Sequence, residues 1–108
     1  MDKQQVYQNE LNVWTELFTE TTEQTQKAAN GLIKKAAYIH SLCWELEQII
    51  EKSGAIKVHP DHPEMQKQVP AVKEYARLCE TYANIINKLN ALRMKNVFED
   101  DDELNEFE

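Results

Sequence analysis

Glycine and proline are nearly missing from this chain, at two and three of its 108 residues. The prolines are Pro60, Pro63 and Pro70, and Gly54 precedes them; elsewhere only Gly31 could interrupt a helix. Long helices are therefore expected on either side of one loop. Cysteine is equally scarce, since Cys43 and Cys79 are too few for a disulfide framework. No apolar run approaches the ~20 residues that span a bilayer. The opening M-D-K-Q-Q-V-Y-Q-N-E lacks the charged-then-apolar layout of an export signal, so a reduced cytoplasmic setting is expected. Serine is confined to Ser41 and Ser53, there is no glycine-rich phosphate loop, and no histidine falls beside a thiol in the pattern. Nucleophilic catalysis has no support, so neither an enzyme nor a cofactor is expected.

What is present is charge, unevenly placed. The net charge is −7. Residues 99–108, E-D-D-D-E-L-N-E-F-E, hold seven acids and no base. The first 30 residues are mildly acidic, and residues 31–98 mildly basic. This is not the charge footprint of a strong nucleic-acid binder acting as a monomer.

Apolar residues are 42% of the chain, too many for wholesale disorder, and they recur at helical spacing. Tyr7, Leu11, Trp14 and Phe18 make one face, predicting a helix near 4–18. The stripe fades in T-E-T-T-E-Q-T, which reads as a weak helix or hinge ending near Asn30-Gly31. Leu32, Ala36, Ile39, Cys43, Leu46 and Ile50 predict a second helix over 31–53, with Gly54 as a left-handed cap. Pro70 suits the first turn of a third helix over 70–95, carrying Val72, Ala76, Cys79, Ala83 and Ile86. Tyr75, Tyr82, Ile85, Leu89 and Leu92 broaden that stripe, so the third helix needs partners on two sides. The architecture expected is all-α, with an N-terminal segment 1–30, an antiparallel helical hairpin 31–96 and a disordered acidic tail 97–108. A short β-like pairing of A-I-K-V-H with M-Q-K-Q-V closes the hairpin.

Four sets of candidate residues follow. His59, Asp61 and His62 form a turn, since three ligands without a fourth fall short of a closed structural zinc site; no metal is expected. Cys43 and Cys79 lie at nearly the same height on facing helices, as small buried thiols. Trp14, Phe18, Tyr82, Ile85, Leu89 and Leu92 are candidates for an oligomer interface, with Trp14 and Phe18 either covering the others in cis or reaching a neighbour. Phe98, Leu104 and Phe107, interleaved with acids, suit docking to a basic partner groove.

From Leu32 to Leu92 the layout resembles the small subunit of phage terminases, especially the short helical-hairpin members from phages of Gram-positive bacteria. The residues that carry this are A-A-Y-I-H-S-L-C-W-E-L-E-Q-I-I-E-K-S-G, then A-I-K-V, a polar loop, V-P-A-V-K-E-Y and A-R-L-C-E-T-Y-A-N-I-I-N-K-L. The resemblance implies a non-catalytic ring-forming homo-oligomer in the host cytoplasm. Its partners would be double-stranded viral DNA and the large ATPase/nuclease subunit, with no membrane. The acidic N-terminal segment shows no helix-turn-helix, so DNA contact falls to Lys34, Lys35, Lys52, Lys57, Lys67, Lys73 and Arg77, multiplied around an oligomer. The rival reading is an acidic helical adaptor or inhibitor of a host protein, without DNA binding.

Overall fold

The computed structural model describes the backbone of residues 1–54, 56–58 and 66–106, and the side chains of 1–54 and 69–95. Three helices carry the chain: α1 Lys3–Leu17, α2 Glu23–Ser53 and α3 Pro70–Glu106. Two three-residue strands, β1 Ile56–Val58 and β2 Gln66–Gln68, pair antiparallel and close the α2–α3 hairpin. The fold is all-α with a minimal β closure, as the pattern predicts. The turn holding His59, Asp61 and His62 lies outside the described residues.

Each helix start has a local cause. Asp2 caps α1 in a capping box: its Oδ1 accepts from Gln5 N at 2.8 Å, while Gln5 Oε1 accepts from Asp2 N at 2.9 Å. Thr22 caps α2, its hydroxyl accepting from Thr25 N at 3.1 Å. The weak helix or hinge predicted over 19–30, ending near Asn30-Gly31, is therefore corrected in extent. The break lies at residues 18–22, and α2 runs unbroken through Gly31. The threonines that look like weak helix formers serve instead as a cap and a turn. Gln26 ties this turn, its amide donating to the carbonyls of Phe18, Thr21 and Thr19 at 3.0, 3.1 and 3.2 Å. Those carbonyls lie at or just past the end of α1, where the helix ladder no longer supplies donors, and Phe18 O also accepts from Thr21 N at 3.1 Å.

Gly54 ends α2 and donates to Ile50 O at 2.7 Å. Its φ of 79° is positive as expected, but its ψ of 166° is not that of a left-handed helix. It occupies a region essentially reserved for glycine, which turns the chain into β1. Pro70 opens α3 as predicted. At the far end the helical backbone of α3 extends to Glu106. No glycine or proline follows Pro70, so nothing in the backbone stops the helix early. The side chains of the tail predicted over 97–108 lie outside the described ones.

The three helices run antiparallel in sequence, and α2 lies between the other two. Ala29, Ile33, Ala36, Ala37, Ile39, Ser41 and Cys43 of α2 are all buried. Its alanines let backbones approach on both flanks, and α3 also meets two partners, α2 along its length and the α1 side chains Glu10, Trp14 and Phe18. In α3 the stripe is rotated from the predicted one: Ala76 and Ala83 are exposed, while Tyr82, Ile85, Ile86, Leu89 and Leu92 pack inward. The core joins Trp14 and Phe18 of α1, Ala29, Ile33 and Ala36 of α2 and Leu89 of α3. The body is long and thin, 76 × 27 × 15 Å, with a radius of gyration of 19.8 Å. A compact chain of this length would measure about 13 Å. There is little interior, so each buried side chain carries a large share of the stability.

Candidate functional site

Two polar features are built between the helices. The first centres on Glu10 of α1, whose side chain is only 12% exposed. Its Oε1 accepts from Trp14 Nε1 at 3.0 Å, and its Oε2 accepts from the Tyr82 hydroxyl of α3 at 3.0 Å. His40 Nδ1 of α2 lies 3.2 Å from the same Oε2. The His40 and Tyr82 rings pack with centroids 5.6 Å apart. One carboxylate thus gathers groups from all three helices. Tyr82 is pushed up to about 12, first by burial and then by the Glu10 charge. Continuing along the α2–α3 seam, Cys43 and Cys79 meet as free thiols, facing as predicted. Burial, then Cys79 opposite, raises Cys43 to about 11. Tyr75 is raised to about 12 by its hydrogen bond with Cys79, by burial and by the charge of Glu47, to which its hydroxyl donates at 3.3 Å. A thiol held protonated is a poor nucleophile, so this seam is suited to packing rather than to attack.

The second feature is an open groove of about 810 Å³ between α1 and α2. Tyr7 and Tyr38 line it, Lys3, Lys34 and Lys35 edge it, and Gly31 and Ser41 complete its α2 side. Lys3 is engaged: its ammonium lies 3.5 Å from Glu45 and 5.9 Å from the centre of the Tyr38 ring. Lys34 and Lys35 are exposed and make no ion pair among the described residues. Ser41 is buried but satisfied, donating to Tyr38 O at 2.6 Å. A Cβ added at Gly31 would meet nothing within 4 Å, so the missing side chain widens the groove. Compared with known protein families, curated proteins and solved structures, the chain matches none.

The predicted basic set does not form one face. Lys34 and Lys35 belong to the groove. Lys52, in the last turn of α2, and Lys73, in the first turn of α3, are exposed at the closed end of the hairpin. Lys57 and Lys67 stand opposite one another in the strand register, and their side chains lie outside the described ones. Arg77 is engaged by Glu74 one turn earlier. The residues predicted for an oligomer interface take part in packing within the chain. Trp14, Phe18 and Leu89 are buried within the chain, and Tyr82, Ile85 and Leu92 pack against them. Trp14 and Phe18 cover α3 in cis, one of the two arrangements expected. Phe98, Leu104 and Phe107 lie outside the residues whose side chains are described. Among those residues no group of three metal-ligating side chains gathers, and no helix is long and apolar enough to cross a membrane.

Glu10 is the polar anchor that sequence reasoning misses. Glu10 lies four residues before Trp14, a helical spacing that gives a local hint. Its other two partners come from 30 and 72 residues away in sequence, which no local pattern signals.

Proposed function

We propose that the chain is a non-catalytic small subunit of a phage DNA-packaging terminase. In this reading it is an oligomeric adaptor in the host cytoplasm that engages viral double-stranded DNA and regulates a large ATPase/nuclease subunit. The observation that carries the reading is the closed end of the hairpin. Exposed Lys52 and Lys73 flank a two-stranded turn in which Lys57 faces Lys67 across the register. The acids between residues 99 and 106 belong to the opposite end of α3. One such tip offers few phosphate contacts, but copies arranged side by side sum them.

The test is retention on double-stranded DNA as salt is raised, with Lys52→Glu and Lys73→Glu placed together. Retention that weakens with salt and drops in the double variant is the expected result. Each lost phosphate contact should reduce the slope of log affinity against log salt by about 1. Copurification with a large terminase subunit tests the second partner. The acidic tail favours the rival reading, an adaptor or inhibitor of a host protein. Tight DNA-independent binding to such a protein, with no DNA retention at any salt, would establish it instead.

A further inference from the structure

Of the residues named from sequence for an oligomer interface, Trp14, Phe18 and Leu89 are buried and Tyr82, Ile85 and Leu92 are partly covered, which leaves the α1–α2 groove as the more open face. We propose that the α1–α2 groove receives the acidic segment 99–108 of a second copy of this chain. Charge complementarity carries the assignment. The groove offers Lys34 and Lys35 with no ion pair among the described residues, beside the half-exposed ring of Tyr38 and the open space over Gly31. The segment offers seven acids, no base, and Leu104 and Phe107 as apolar side chains. Lysine heads at the rim and tyrosine faces inside suit an acidic strand or helix that also carries apolar groups.

The segment must come from another copy. Glu47 meets Tyr75, Cys43 meets Cys79 and His40 meets Tyr82, so α3 descends along α2 in constant antiparallel register. Continued at that register, α3 passes the start of α2 at Glu23 near residue 99. The groove lies on residues 31–41 of α2, more than about 10 Å back along the axis. The helical backbone of α3 carries the acids further away, beyond its own groove. They also leave past an acidic end, where Glu16, Glu20 and Glu23 are exposed. Each copy presents one groove and one acidic segment, so two copies exchanging segments satisfy both contacts in a closed pair. This goes beyond the packaging reading and does not depend on it.

The test is a charge swap in the full chain. One variant carries Lys34→Glu and Lys35→Glu; the other carries Asp100→Lys, Asp101→Lys, Asp102→Lys, Glu103→Lys and Glu106→Lys, which turns the segment net positive. Native mass or light scattering should show the wild type assembled at low salt and smaller at high salt. Each variant alone should self-associate about tenfold more weakly, since its groove and segment now repel. Mixing the two restores assembly, because each groove then meets a segment of opposite sign. A folding defect cannot be rescued in this way. Gly31→Leu fills the groove without changing charge and should lower the assembled mass while leaving helix content unchanged. A wild type that is monomeric at low salt, variants that assemble undiminished, or a mixture that stays dissociated would each overturn the proposal. So would a single-stranded oligonucleotide that needs Lys34 and Lys35 while the lysine-segment variant assembles like wild type, because the groove would then be a nucleic-acid site.

Discussion

Glu10 joins three helices through one carboxylate, and its energetics can be worked out from its partners. Removing it leaves the Trp14 indole and the Tyr82 hydroxyl without their acceptor in a part-buried site. An unsatisfied donor costs about 1–3 kcal/mol, so Glu10→Ala should lower unfolding stability by about that much, as read from urea denaturation. Tyr82→Phe removes a single bond and should cost about 1 kcal/mol. Tyr82 and Cys43 set a pH dependence. The folded chain holds the Tyr82 proton up to about 12, from an ordinary value of 10.0, and the Cys43 proton up to about 11, from 9.0. Above pH 9 the unfolded chain binds fewer protons than the folded one, so stability must fall as pH rises. The contribution is complete below about pH 9 and is lost by about pH 12. Melting temperature followed from pH 8 to 12 should decline over that window, and Tyr82→Phe should flatten the upper part. An equal decline in both proteins would remove Tyr82 from the account.

At the scale of elements, the sequence speaks through its rare residues. Pro70 opens α3, Gly54 ends α2, and Cys43 and Cys79 meet because they lie at similar distances from the hairpin loop. These positions are legible because backbone chemistry fixes them locally. The α1–α2 turn is not, because Thr19, Thr21 and Thr22 have low helix propensity whether they form a hinge or a cap. What decides it is Gln26 reaching back to three carbonyls and Phe18 entering the core, contacts made only in the fold. The two glycines separate the cases experimentally. Gly31 lies inside α2 with open space around it and has no positive φ. Gly31→Ala should therefore stabilise the chain by about 0.5–1 kcal/mol, because alanine loses less backbone entropy on folding. Gly54 has φ 79°, so Gly54→Ala should destabilise by about 1–3 kcal/mol. Thermal unfolding of the two variants checks both signs, and a destabilised Gly31→Ala would return the hinge to the middle of α2.

For the whole molecule, the question is what the apolar stripe of α3 is for. Periodicity finds Leu89 and Ile85, but it cannot tell a neighbour's surface from another helix of the same chain, since both need the same face. The candidate groove is hidden from sequence for a similar reason: Tyr7 and Tyr38 become neighbours only when α1 folds back on α2. Here α1 settles the first ambiguity by covering α3 through Trp14 and Phe18, and Leu89 is fully enclosed. In a body only 15 Å thick there is no second layer to absorb a defect. Leu89→Ala should then cost about 2–5 kcal/mol, the range for truncating a leucine in a core. Leu89→Asp would place an unpaired charge among Trp14, Phe18 and Ile33, and should unfold the chain rather than dissociate it. The two roles of Leu89 predict different signals. A core residue gives loss of far-UV helical signal and of cooperative melting at every protein concentration. An interface residue gives a folded chain of smaller mass that melts cooperatively. A folded, cooperative Leu89→Asp monomer would show that α3 belongs to a neighbour and that α1 does not cover it.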